Sequence, residues 1–174
     1  MEVHMDNDDR NKDLFAGAMS SLMKNKLGIS LDLLNEIIDT DPDDKLALLA
    51  RGSVYLKMGN TENAIGDFSR TLKMDSSHPR AYHLRGLARE MAGDDEKALE
   101  DLNKAIEIDS EYGAAYYSRA TLLTKMGRED SALEDMKMVS QLSNRNIESF
   151  ANENNVWRSR YLQMENMMES EMQR

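Results

Sequence analysis

The sequence predicts an all-α solenoid of stacked antiparallel helix pairs. Three observations carry that expectation. Gly59, Gly93 and Gly127 fall 34 residues apart, and Ala64, Ala98 and Ala132 keep the same step, as do Arg51, Arg85 and Arg119 and Asp67, Asp101 and Asp135. A fixed period of this length marks one helical unit used several times. The chain has only 2 prolines and 9 glycines in 174 residues, so little interrupts its helices. With 40% hydrophobic and 31% charged residues it has enough apolar side chain for a core and is not a disordered acidic tail.

The units read 45–78, 79–112 and 113–146, with a divergent unit before them at 11–44. Residues 1–10, polar and acidic, read as a flexible arm without the basic and apolar regions of a secretory signal. In the divergent unit Asn25 stands where the others have a turn glycine; asparagine is the next residue to tolerate left-handed backbone. That unit also has Ala18 in place of Gly52, Gly86 and Ala120, and Ser30 at the Ala64 position. Small residues there let the two helices of a unit approach closely.

The 79–112 unit shows the pattern most fully. Pro79 suits a first helical position, where its missing N–H costs nothing. Gly93 ends that helix. Asp94, Asp95 and Glu96 set negative charge at the positive start of the next. Ala98, Leu99, Leu102, Ala105 and Ile106 form its apolar face, with Glu100 and Lys104 as an expected i,i+4 pair opposite. In the 113–146 unit Ser140 and Asn144 weaken the end of the second helix. Trp157, Tyr161, Met164 and Met168 recur at helical spacing in 147–174, which reads as a capping helix over the open end of the stack. A docking or dimerisation role for that helix stays open, since Met167, Met168 and Met172 make its surface adaptable.

This period, with small, aromatic and turn residues at Tyr82, Gly86, Gly93, Ala98, Leu102, Ala105 and Asp109, resembles the tetratricopeptide repeat family. The resemblance covers about four-fifths of the chain. It implies a right-handed α-solenoid whose first helices line a concave face, and a non-catalytic role in binding protein. The arginines at 51, 85 and 119 occupy a position that is more often apolar in that family. In the first unit Gly17 and Leu33 replace the arginine and the aspartate together. Presence and absence in step predict an Arg–Asp pair inside each of the last three units, serving packing and register.

Most chemistry is absent from the sequence. There is no cysteine, hence no disulfide, thiolate site or zinc finger, which fits a reducing cytoplasmic setting. A net charge of -10 argues against nucleic acid. No run is long and apolar enough to span a membrane. No phosphate-binding loop or nucleophile elbow occurs, and no cofactor or metal is expected. Asp39, Asp41 and Asp43 have the opening spacing of a calcium loop. Asp44 and Ala50 stand where its glycine and glutamate belong, so a solvated turn is expected.

The resemblance places the second, fifth, ninth, twelfth and thirteenth residues of each unit on the concave face. The expected peptide-binding groove is therefore Phe15, Met19, Leu22, Leu46, Leu49, Leu56, His83, Leu87, Met91 and Tyr117. It is apolar in its N-terminal half and mixed beyond, suited to an apolar peptide or helix. The clamp that some family members use for an acidic carboxyl terminus is not matched, since Phe15, Met19, Ala50, Arg80 and Leu84 stand at its positions. The expected function is an adaptor or assembly scaffold. The alternatives are a small chaperone for a secreted or aggregation-prone client and a structural unit that self-assembles through the groove or the 147–174 helix.

Overall fold

The computed structural model describes residues 7–153, with side chains from 9 to 145. Eight helices occur among the described residues: α1 (Asn7–Met23), α2 (Leu27–Thr40), α3 (Lys45–Lys57), α4 (Thr61–Met74), α5 (Pro79–Met91), α6 (Asp95–Ile108), α7 (Gly113–Lys125) and α8 (Glu129–Glu153). They pack in chain order as α1 with α2, α3 with α4, α5 with α6 and α7 with α8, and each pair stacks on the next. The odd-numbered helices also touch one another along one face, α1 with α3, α3 with α5 and α5 with α7. The result is an all-α helical-repeat solenoid.

Local chemistry sets each turn. Gly59, Gly93 and Gly127 adopt φ of 77°, 84° and 73°, and Asn25 takes the same left-handed turn at 56°. Asp44, Asn60 and Asp94 cap the helices that follow by accepting from the N–H groups of Ala47, Asn63 and Lys97. Pro79 starts α5, and His78 caps it. Between units a second device recurs. Asp41, Asp75 and Asp109 leave the helix in extended backbone and accept from the N–H two residues on, at 3.2, 3.2 and 2.9 Å. Asp41 and Asp44 thus hold a turn, as the departures from the calcium pattern suggest.

The core runs along the stack as a chain of clusters. Ala18, Leu34, Ile37 and Ile38 meet Ala47, Leu48 and Val54 between the first two units. Ala64, Phe68 and Leu72 meet Ala81 and Ala88 between the next two. Gly52 is dictated by Phe68, because a Cβ there would lie 2.6 Å from the ring. Ser30 is fully buried and donates to the Ala18 carbonyl at 2.9 Å, which reconciles a polar residue with that position.

Three expectations are corrected. The arm over 1–10 is shorter, since Asn7–Arg10 already belong to α1 and Arg10 pairs with Glu36. The boundary at 146/147 falls inside α8, which runs 25 residues where α6 runs 14. Ser143 stands where the other units place their helix-ending aspartate, so nothing stops the helix there. Lys104 pairs with Glu107 at 2.8 Å instead of Glu100. The capping segment's Trp157, Tyr161, Met164 and Met168 lie outside the described residues.

Candidate binding groove

The inner face is held in register by a ladder of arginines. Arg51, Arg85 and Arg119 each grip the aspartate 16 residues on with two parallel hydrogen bonds. The distances are 2.8 and 2.7 Å to Asp67, 2.9 and 2.7 Å to Asp101, and 2.8 and 2.6 Å to Asp135. The expected pairs are all present. Each guanidinium also donates to the preceding unit, to Asn35 Oδ1, Ser69 Oγ and Asn103 Oδ1 at 2.8, 3.2 and 2.7 Å. A tyrosine ring, from Tyr55, Tyr82 or Tyr116, lies within 5.8 Å of each guanidinium carbon. One side chain therefore ties two helices of its own unit to the second helix of the unit before. The hydrogen bonds they donate to Asp67 and Asp135 hold Arg51 and Arg119 above the usual arginine pKa. In the first unit Leu33 fills the space, reaching within 3.3 Å of where a Gly17 Cβ would stand.

The groove residues divide by exposure. Leu46, Met91 and Tyr117 are 64%, 58% and 57% exposed, and the neighbouring Met23 is 86% exposed. Phe15, Met19 and Leu22 are half-buried against the first cluster, Leu56 against the Phe68 cluster, and Leu87 is half-buried. Phe15 and Leu46 line a cleft of about 330 Å³ between the first two units, with Lys12, Asp41 and Asp44 as polar walls. The turn aspartates were not expected in the site. Their signal was positional, since the turn that joins two units ends beside the next unit's second residue.

Two of the expected groove residues are buried in the structure. Leu49 is buried in the Phe68 cluster. His83 is buried too, with Nδ1 3.1 Å from Tyr112 Oη and Nε2 2.8 Å from Ser118 Oγ. The fifth position of a unit sits where adjacent first helices touch, so a neighbouring unit covers it. Burial, and then the charge of Arg80, push the His83 pKa down to about 4. A neutral, weakly basic imidazole hydrogen-bonded to two hydroxyls is a poor general base for Ser118. Its role is to join the last two units. Among the described residues no group of three His, Asp or Glu side chains could hold a metal ion.

Comparison with known proteins fixes what this architecture is. The sequence profile of the tetratricopeptide repeat matches residues 49–113. Residues 49–113 thus carry the tetratricopeptide repeat. A crystal structure of the MamA protein shares its fold with a TM-score of 0.69 at 21% identity, over 78% of this chain and 74% of that one. The 41-end portion of MamA from Desulfovibrio magneticus RS-1 gives 0.71 at 19%, over 78% and 76%. The first tetratricopeptide domain of Spaghetti (RPAP3), solved with the HSP90 peptide SRMEEVD, gives 0.65 at 20%, over 72% and 99%. No curated protein matches the sequence. Tetratricopeptide folds serve as protein-interaction modules, and among the described residues no helix is long and apolar enough to cross a membrane.

Proposed function

We propose that the chain is a non-catalytic adaptor that binds the apolar segment of a protein partner along its inner face, chiefly at the N-terminal half. One observation carries this reading. Met23, Leu46, Met91 and Tyr117 stay exposed on a row of helices whose other large apolar residues are buried or half-buried, and the Phe15 cleft opens beside Leu46. Exposed apolar surface on a folded domain marks a place where something docks. The cleft is large enough for one apolar side chain, with Lys12 at its edge. The peptide bound to the RPAP3 domain supports a peptide-sized ligand on this fold.

The test is a pull-down from native lysate with wild type beside Leu46→Asp/Met91→Asp, identified by mass spectrometry. Both residues are exposed, so the variant should keep its helical signal and melting point. Loss of a partner from the variant supports groove binding. A partner held equally by both samples overturns the placement. Recovery of the chain itself as the lost partner would turn the reading toward self-assembly.

A further inference from the structure

The three Arg–Asp pairs of the ladder are covered differently. Four residues after each ladder arginine, on the same helix, stand Tyr55, Arg89 and Leu123. Tyr55 lies against the Arg51 guanidinium, with its ring centre 5.8 Å from the guanidinium carbon. Arg89 brings a second guanidinium to Asp101. Its Nη1 lies 2.8 Å from Asp101 Oδ2 and donates to the Lys97 carbonyl at 3.3 Å. That side chain is well shielded, at 19% exposed. Leu123 has no polar head and packs with Ala120 and Ala132. Among the described residues, Asp135 therefore meets one arginine where Asp101 meets two. Beside it lies a cavity of about 260 Å³. Its walls include Leu123, Ser131 and Asp135, which stand one 34-residue step after Arg89, Lys97 and Asp101. The cavity thus corresponds to the space that the Arg89 head fills one unit earlier.

We propose that this cavity is a binding site for a guanidinium group, separate from the Phe15 cleft between the first two units. The acceptors that hold Arg89 recur in it, since Asp135 and Ser131 stand where Asp101 and Lys97 do. A planar guanidinium can donate to a carboxylate and a carbonyl at once, a fit that a compact ammonium lacks. The Asp135 side chain is 5% exposed, so a contact made there is little screened by water. Glu134 adds a second carboxylate at the exposed rim. Arg119 also lines the cavity, with its donors engaged by Asp135 and Asn103. Its charge does not bar a second guanidinium, because Asp101 accommodates both Arg85 and Arg89. Arg128, exposed at the rim, makes no ion pair among the described residues and can take a carbonyl or carboxylate of the same ligand. The guanidinium comes from arginine, either as the free amino acid or as a side chain of a protein segment.

The test is a titration of the isotope-labelled full chain followed by NMR, reading the backbone amides of Ser131 and Asp135 and the side-chain amide of Asn103. The probes are free arginine and N-acetyl-arginine N-methylamide, with N-acetyl-lysine N-methylamide as the matched cation. Saturable shifts at those three groups are expected with the arginine probes, and several-fold weaker binding with the lysine probe. Tighter binding of the blocked arginine assigns the site to an arginine of a protein; tighter binding of free arginine assigns it to the amino acid. Glu134→Lys should weaken binding about fivefold, the size of an exposed charge contact. Its helical signal should not change, because Glu134 is exposed. Arg89→Ala opens the equivalent space beside Asp101 and should add a second saturable set of shifts, at Lys97 and Asp101. Should that variant fail to fold, Glu134→Lys carries the test. A wild type without saturable shifts overturns the proposal, as do equal binding of the lysine probe and binding that Glu134→Lys leaves unchanged. Saturation found only in Arg128→Ala also overturns it, and assigns the cavity to the head of Arg128 itself.

Discussion

Arg51 holds Asp67 with two hydrogen bonds and Asn35 with a third, in a setting where both charges are largely shielded from water. Removing one charge strands the other. Asp67→Ala should therefore cost about 3–5 kcal/mol in urea unfolding, and the double replacement Arg51→Leu/Asp67→Leu clearly less. Additive costs would show that the pair is not coupled. These pairs were legible because arginine and aspartate come and go together between units. Asn35, Ser69 and Asn103 were not, although they too lie 34 apart, because the residue type changes and only geometry shows a shared acceptor. The burial of His83 was not legible for a related reason: Tyr112, which closes its own unit, and Ser118, in the next, lie 29 and 35 residues along the chain. Its neutral form is buried with Tyr112, Ser118 and the cation Arg80 nearby. The folded-state pKa of about 4 lies below the ordinary 6.5, so the unfolded chain binds the extra proton between those values. Stability should hold above pH 6.5, fall as pH drops from 6.5 to 4, and lose on the order of 3 kcal/mol in all. His83→Leu, matching Leu49 one unit earlier, should remove that slope from unfolding midpoints measured against pH. A variant with the wild-type slope would assign the effect to other groups.

At the scale of the helix, glycine has two distinct uses here. Gly93 supplies a left-handed turn, whereas Gly52 lies inside α3 and gives room to Phe68. In an exposed helix, replacing glycine by alanine gains about 1 kcal/mol. At Gly52 the added methyl meets a fully buried ring at 2.6 Å, and overpacking of that kind costs roughly 1–3 kcal/mol. Gly52→Ala should lower the melting temperature, and Gly66→Ala, on the open side of α4, should raise it slightly. A stabilised Gly52→Ala protein would mean that Phe68 can move aside. Helix starts and turns were legible from glycine, proline and capping residues, because those act within a few residues. The length of α8 was not. The helix-ending signal is the aspartate at 41, 75 and 109, and its absence at Ser143 matters only once that aspartate is seen turning the chain.

Across the whole molecule, stability is shared between neighbouring units, since each unit packs on the one before and the one after. Among the described residues the first unit packs on the following unit alone. It lacks an arginine pair of its own, and Asn35 is its share of the ladder. The cluster of Leu34, Ile37 and Ile38 with Leu48 carries the rest of that junction. Native-state hydrogen exchange should therefore find α1 and α2 opening before α3 to α6. Asn35→Ala removes a hydrogen bond to a charged group, a loss of about 1.5–3 kcal/mol. Exchange in α1 and α2 should quicken by at least tenfold, a difference of 1.4 kcal/mol or more, while α5 and α6 keep wild-type protection. Equal acceleration along the chain would mean that the solenoid opens as one body. Unchanged rates would mean that the apolar cluster alone holds the first unit. The junction matters for binding because the Phe15 cleft spans it. A first unit that swings away from Leu46 takes one wall of the cleft with it, so Asn35→Ala should weaken capture of a groove-bound partner without altering any residue that lines the cleft.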